Sequence, residues 1–225
     1  MRLRPMFPFY GSKWKAAPKY PKPKHETIVE PFAGSACYSL CYPDRQIILV
    51  EKDPVIAGIW KWLISVDPEE IMRIPLKFAS TDDLEGPQEL RWFMGFWAAK
   101  ADSSPRKKCS PWCRWNKNRR TRVASQVQNI RHWKVIHGDY FESLDIPATW
   151  FIDPPYIQQG KRYRYGASQI DYESLGSWCR QRQGQVIVCE FDGAKWLPFT
   201  PFLQVKGTIL NGKHRIIKES VWIKE

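Results

Sequence analysis

The sequence predicts an α/β fold: a mostly parallel sheet with helices between its strands, closed by an antiparallel hairpin near the C-terminal end. Three observations carry this. Short apolar runs recur at 27–30, 47–50, 133–136, 150–152 and 185–190, as strands buried on both faces do. Segments with helical apolar spacing separate several of them. Two alternating runs, 202–210 and 213–223, flank Asn211-Gly212, a dipeptide that suits the left-handed backbone of a tight hairpin.

At 225 residues and 43% hydrophobic content, the chain is long enough for one sizeable core. No apolar run approaches 18 residues, so no transmembrane helix is expected. The basic start, Met1-Arg2-Leu3-Arg4-Pro5, lacks the apolar stretch of a secretory signal, which points to the cytoplasm. Lys and Arg total 35 against 23 Asp and Glu, a net charge of +12. Such an excess favours a polyanionic partner, nucleic acid before a membrane surface, since no amphipathic helix concentrates the charge on one face. Twelve Trp and nine Tyr also suit base stacking. The six scattered cysteines do not form a disulfide framework. Cys109 and Cys113 have a spacing open to zinc, but no partner pair accompanies them, and no metal is expected.

Taken in order, residues 1–25 are rich in proline and basic residues and read as an arm, with Phe9-Tyr10-Gly11-Ser12-Lys13 as a surface turn inside it. The strand at 27–30 runs into Pro31-Phe32-Ala33-Gly34-Ser35-Ala36, and 37–40 reads as a helix start. A strand, a small-residue turn and a helix can seat a cofactor over a helix N-terminus. The spacing matches neither a dinucleotide fingerprint nor a phosphate loop. The second strand ends on Glu51, about 20 positions beyond the turn, where such folds place a ribose-binding acid. Helices are expected at 54–62, from the Asp67 cap onward, at 88–99 and at 120–133.

Between Lys100 and Arg122 stand nine Lys or Arg and a single acid, interleaved with Trp112, Trp115, Asn116 and Asn118. Such a stretch can grip phosphates while Asn and Arg reach base edges; a solvated loop is the plainer alternative. The third strand ends in Gly138-Asp139-Tyr140. The fourth ends in Asp153-Pro154-Pro155-Tyr156, followed by the basic, aromatic loop 160–166 and a helix at 171–182. Here a carboxylate and a rigidly held carbonyl can accept both hydrogens of an exocyclic amino group, and the tyrosine offers a stacking face. A strand ending in a proline turn is the bland alternative. Four acids, Glu30, Glu51, Asp139 and Asp153, thus follow strands toward one sheet edge.

In this order the motifs resemble the Dam-like DNA N6-adenine methyltransferases, which use S-adenosylmethionine. The resemblance implies a Rossmann-like methyltransferase sheet with a small helical, basic DNA-recognition insertion. It divides the chain into a catalytic domain, 1–62 and 131–225, and an inserted target-recognition region, 63–130. It implies a cofactor pocket built from Tyr10, Lys13, Pro31, Phe32, Ala33, Gly34, Ser35, Glu51, Asp139, Tyr140 and Asp153. Asp153, Pro154, Pro155 and Tyr156 would hold the target base. Double-stranded DNA would be gripped by Arg106, Lys107, Lys108, Arg114, Asn116, Lys117, Asn118, Arg119, Arg120 and Arg122, joined by Lys161, Arg162 and Arg164. A bacterial or phage-infected cell is the implied setting, with or without a partner restriction endonuclease. Ser35-Ala36 stands where many relatives have a second glycine, and the insertion is short. Cytosine N4, an RNA substrate and a binder without catalysis remain open as alternatives.

Overall fold

The structure, a computed structural model, describes residues 2–100, 102–158, 160–208 and 214–225. Seven strands are seen among the described residues: β1 (Thr27–Glu30), β2 (Gln46–Glu51), β3 (Lys134–His137), β4 (Ala148–Ile152), β5 (Gly184–Phe191), β6 (Thr200–Thr208) and β7 (His214–Lys224). They form one sheet in the order β3-β2-β1-β4-β5-β7-β6. All pairs from β3 to β5 are parallel; β7 runs antiparallel to both β5 and β6. The expected α/β class, mostly parallel with a C-terminal antiparallel hairpin, is the one observed. The Asn211-Gly212 turn lies outside the described residues.

The helices are α1 (Pro54–Leu63), α2 (Pro68–Arg73), α3 (Gln88–Trp97), α4 (Lys117–Val127) and α5 (Tyr172–Gln181). Their starts follow the sequence. Asp53 and Asp67 accept bonds from the first-turn amides, each with proline at the next position, and Asp67 forms a reciprocal capping box with Glu70. Asn116 caps α4 by accepting from Arg119 N at 3.0 Å, so that helix begins earlier than its apolar spacing suggested. It gives way to a 3-10 turn at Gln128–Ile130.

One face of the sheet, with Ile28, Leu49, Phe151 and Ile187, belongs to one apolar cluster with α1, on which α3 packs, and with α4. The other, with Val29, Val50, Trp150 and Val188, packs against Leu175 and Cys179 of α5. Residues within 63–130, among them Ile71, Phe93, Trp97, Trp115 and Val123, belong to the same apolar cluster as β1 and α1. No helix among the described residues is long and apolar enough to cross a membrane.

Two expectations need correction. The helix start at 37–40 is a single 3-10 turn, Ser39–Cys41. Gly34 (φ 44°) and Ala36 (φ 47°) turn the chain left-handed just before it, and Pro43 disfavours helical backbone at Tyr42. The N-terminal segment, expected as an arm with a surface turn at 9–13, is instead packed into the core, and Lys13 is buried. Leu3, Met6, Phe7, Ala17 and Tyr20 are buried, and the Phe7 ring lies 5.2 Å from Phe96 and 5.8 Å from Trp60 between centroids.

Candidate functional site

The strand order reverses about β1 and β4, which pair with each other while their connections leave in opposite directions. Crevices at the carboxyl ends of strands open at such a point. A cavity of about 280 Å³ lies there, lined by residues of the N-terminal arm, the turn after β1, the ends of β2 and β4, and the loop 163–171.

Asp153 follows β4 directly, with its side chain 23% exposed to the cavity. Its enclosure pushes the carboxyl up to about 6, against the pull of the neighbouring Lys13 ammonium. Lys13 Nζ lies 3.3 Å from Asp153 Oδ1 and 3.2 Å from Glu219 Oε1 on β7. It also donates to the Tyr156 hydroxyl and sits 4.5 Å from the centre of that ring. Burial alone would discharge Lys13, yet Asp153, Tyr156 and Glu219 outweigh it and hold the ammonium well above the ordinary lysine value. The second oxygen of Glu219 accepts from Tyr20 at 2.8 Å. Lys13 was expected to line the cofactor pocket; it does border the cavity, but its charge belongs to Asp153 and Tyr156. Of the two proline carbonyls, that of Pro155 is engaged by the Tyr172 hydroxyl.

The turn after β1 is held by Glu51 and Trp60. Glu51 accepts from Gly34 N through Oε2 and from Asp53 N through Oε1, both at 2.9 Å, and Trp60 donates to Gly34 O at 2.8 Å. Burial raises the Glu51 carboxyl to about 7. Each of its oxygens retains lone-pair capacity for a further donor. Gly34 combines its left-handed backbone with close approach: a Cβ there would meet the Phe9 ring at 3.2 Å. Pro31, Phe32, Ala33 and Ser35 all border the cavity. Phe32 and Tyr140 stack at 5.5 Å and 26°, forming an aromatic wall. Asp139 pairs with Lys52 at 2.7 Å and caps Tyr140 N. The cavity roof is the loop after β4: Tyr163 donates to Tyr10 O at 3.2 Å, and Arg164 lies 3.4 Å from Asp53.

The basic residues divide into two groups. Arg106, Lys107, Lys108, Arg114, Asn116, Lys117, Asn118, Arg162 and Arg164 are exposed, although Arg106 pairs with Asp102 and Lys107 with Asp82. Arg119, Arg120 and Arg122 are only partly exposed, and their guanidinium groups donate to the carbonyls of Arg114, Ile74 and Pro5. Arg120 and Arg122 thus brace α4 against the segment after α2 and the N-terminal arm, and Arg119 folds back onto the segment just before α4. The Lys161 side chain lies outside what is described. Among the described residues, no three His, Cys, Asp or Glu side chains cluster as a metal site would require.

Sequence reasoning missed Glu219, Tyr20, Tyr163 and the pairing of Arg164 with Asp53. Glu219 carried no signal, since an acid in an alternating strand reads as solvent-facing. Tyr163 had one: an aromatic residue in a Gly-bounded loop after a motif-bearing strand.

No family model matches this chain, and no curated protein matches it. Solved structures align with much of the chain, at TM-scores below 0.5. A conserved hypothetical protein from Streptococcus pyogenes aligns over 88% of this chain and 86% of its own, at 12% identity and a TM-score of 0.41. A proposed methylase from Haemophilus influenzae aligns over 96% and 90%, at 12% identity and a TM-score of 0.38. The glycopeptide N-methyltransferase MtfA, in complex with S-adenosyl-L-methionine, aligns over 95% and 68%, at 12% identity and a TM-score of 0.38.

Proposed function

We propose that the chain transfers a methyl group from S-adenosylmethionine to the exocyclic amino nitrogen of a nucleic-acid base, N6 of an adenine turned out of DNA. The observation that carries this reading is the half-buried Asp153 carboxylate, raised to about 6 and still ionised at neutral pH, at the wall of a cavity whose far side holds Glu51. Amino-group chemistry and a cofactor seat thus share one cavity.

The residues present fit the cofactor. Glu51 offers a carboxylate to ribose hydroxyls, the Phe32–Tyr140 wall offers a face to the adenine, and the turn 31–35 would receive the methionine part. When bound, S-adenosylmethionine supplies an electrophilic methyl carbon on a sulfonium. The protein's own contribution concerns the acceptor nitrogen, a poor nucleophile because its lone pair is delocalised into the ring. Asp153 accepts one amino hydrogen and the carbonyl of Pro154 the other, favouring a pyramidal nitrogen. As positive charge develops on that nitrogen, the Asp153 carboxylate stabilises it and then takes the proton the nitrogen sheds. Tyr156 supports the base, and holding both reactants in one cavity supplies much of the rate. The net charge of +12 supports a nucleic-acid substrate.

The test is methyl transfer from labelled S-adenosylmethionine to DNA, with digestion to identify the methylated nucleoside. The wild type labels adenine; Asp153→Asn loses the transfer at least a hundredfold while still binding the cofactor. Absence of cofactor binding by the wild type, or transfer by Asp153→Asn at the wild-type rate, would overturn the reading. Label on cytosine or on RNA would reassign the substrate.

A further inference from the structure

Beside the cavity lies a second, more open hollow of about 630 Å³. Its walls come from the basic segment and from the loop after β4. Lys100, Arg106, Lys108 and Arg162 supply four cations, and Asp102, the one acid in the lining, is paired with Arg106 at 2.6 Å. Ser103 lines both hollows, so the two adjoin. The seam between them is fixed: Tyr10 N donates to Asp102 O at 3.0 Å, and Ser103 Oγ donates to Arg162 O at 2.5 Å.

Trp112 stands in this hollow 62% exposed. The Lys100 ammonium lies 4.2 Å from its ring centre. The turn that carries Trp112 is braced. Ser110 N and Oγ both donate to Ala98 O, Trp112 N donates to Ser110 Oγ at 3.2 Å, and Cys113 N donates to Ser110 O at 2.9 Å. A large ring held out into water by a fixed turn contributes little to folding, but as a binding surface it needs little further ordering.

We propose that this hollow binds an unpaired nucleotide adjoining the target, so that the partner is nucleic acid with a single-stranded segment beside the modified base. Its base stacks on Trp112 and its phosphates meet Lys100, Lys108 and Arg162. This rests on the nucleic-acid reading given above. The reason for an unpaired nucleotide is steric and chemical. A hollow of this volume suits one or two nucleotides, and a duplex keeps its base faces stacked on one another, whereas a single strand offers them to an aromatic side chain.

The experiment measures fluorescence anisotropy of a labelled 12-nucleotide strand, as DNA and as RNA, and of the same sequence as blunt duplex DNA. The proteins are the wild type, Trp112→Ala, Trp112→Phe and Lys100→Gln/Lys108→Gln. The wild type is expected to prefer the single strand. Trp112→Ala weakens that binding about tenfold and duplex binding less than twofold, within the range found for single stacking contacts. Trp112→Phe keeps most of the affinity, and the double lysine variant lowers the salt slope. Equal wild-type affinity for strand and blunt duplex, or strand binding unchanged in Trp112→Ala, overturns the proposal. S-adenosylmethionine titration of the same samples separates the two readings. Cofactor binding without strand preference rejects the hollow alone, and strand preference without cofactor binding rejects the methyltransferase alone.

Discussion

Glu30 gives a prediction that is independent of any substrate. It ends β1, is 2% exposed, and accepts from Ser39 N at 2.7 Å, with the buried Ser39 hydroxyl beside it. Burial raises its carboxyl from 4.5 to about 8. The folded chain therefore holds a proton that the unfolded chain releases between those values, and stability contributed by this group falls as pH rises through that window. At pH 7 the linkage amounts to about 3 kcal/mol, and at pH 5 to under about 1 kcal/mol. Glu30→Gln keeps an oxygen for Ser39 N, can donate to the Ser39 hydroxyl and never ionises. It should raise the melting temperature by about 6–12 °C at pH 7 for a domain of this size, and by about 3 °C or less at pH 5. Differential scanning calorimetry of both proteins from pH 5 to 8.5 measures this. A stability difference that does not grow with pH would refute an elevated Glu30, and with it the view that the core under the cavity is kept neutral by protonation.

Three substitutions probe the site itself. Lys13→Met removes the cation 3.3 Å from Asp153, so its carboxyl rises further and the acid limb of the methyl-transfer pH profile should move up from about 6 by about two pH units, less than an unscreened pair at that distance allows. Glu219→Gln removes a like charge and should move the same limb down by a smaller amount; pH–rate profiles that shift in one direction for both variants would contradict the cluster. Glu51→Gln replaces one of the two acceptor oxygens that hold Gly34 N and Asp53 N, and isothermal titration should show S-adenosylmethionine binding weakened at least tenfold.

The parts of the fold legible in the sequence were those set by local contrast. β2 and β4 are apolar runs that stop at a carboxylate, so Glu51 and Asp153 could be placed at strand ends without knowing strand order. Asp67 announced its helix because a cap and a proline act over three residues. What was hidden depended on distant partners. Leu3, Met6 and Phe7 lie among prolines with no period, and it is distant partners, Trp60, Phe93 and Phe96 in the case of Phe7, that make them core. The basic run around Arg120 looked uniform, but a guanidinium that meets a backbone carbonyl cannot be told from a free one by composition. The placement of β7 between β5 and β6, which brings Glu219 toward Lys13, depends on strand order, which a local reading of the hairpin does not give.

That last placement has a consequence for when the protein becomes competent. Lys13 and Glu219 stand 206 positions apart in the chain, and their side chains meet at 3.2 Å. Without β7, Asp153 and Tyr156 would share a lysine that lacks its second carboxylate. The Lys13–Asp153–Tyr156 cluster therefore depends on the last strand of the chain to be made, and a chain cut short before β7 would carry these three residues without the Glu219 carboxylate.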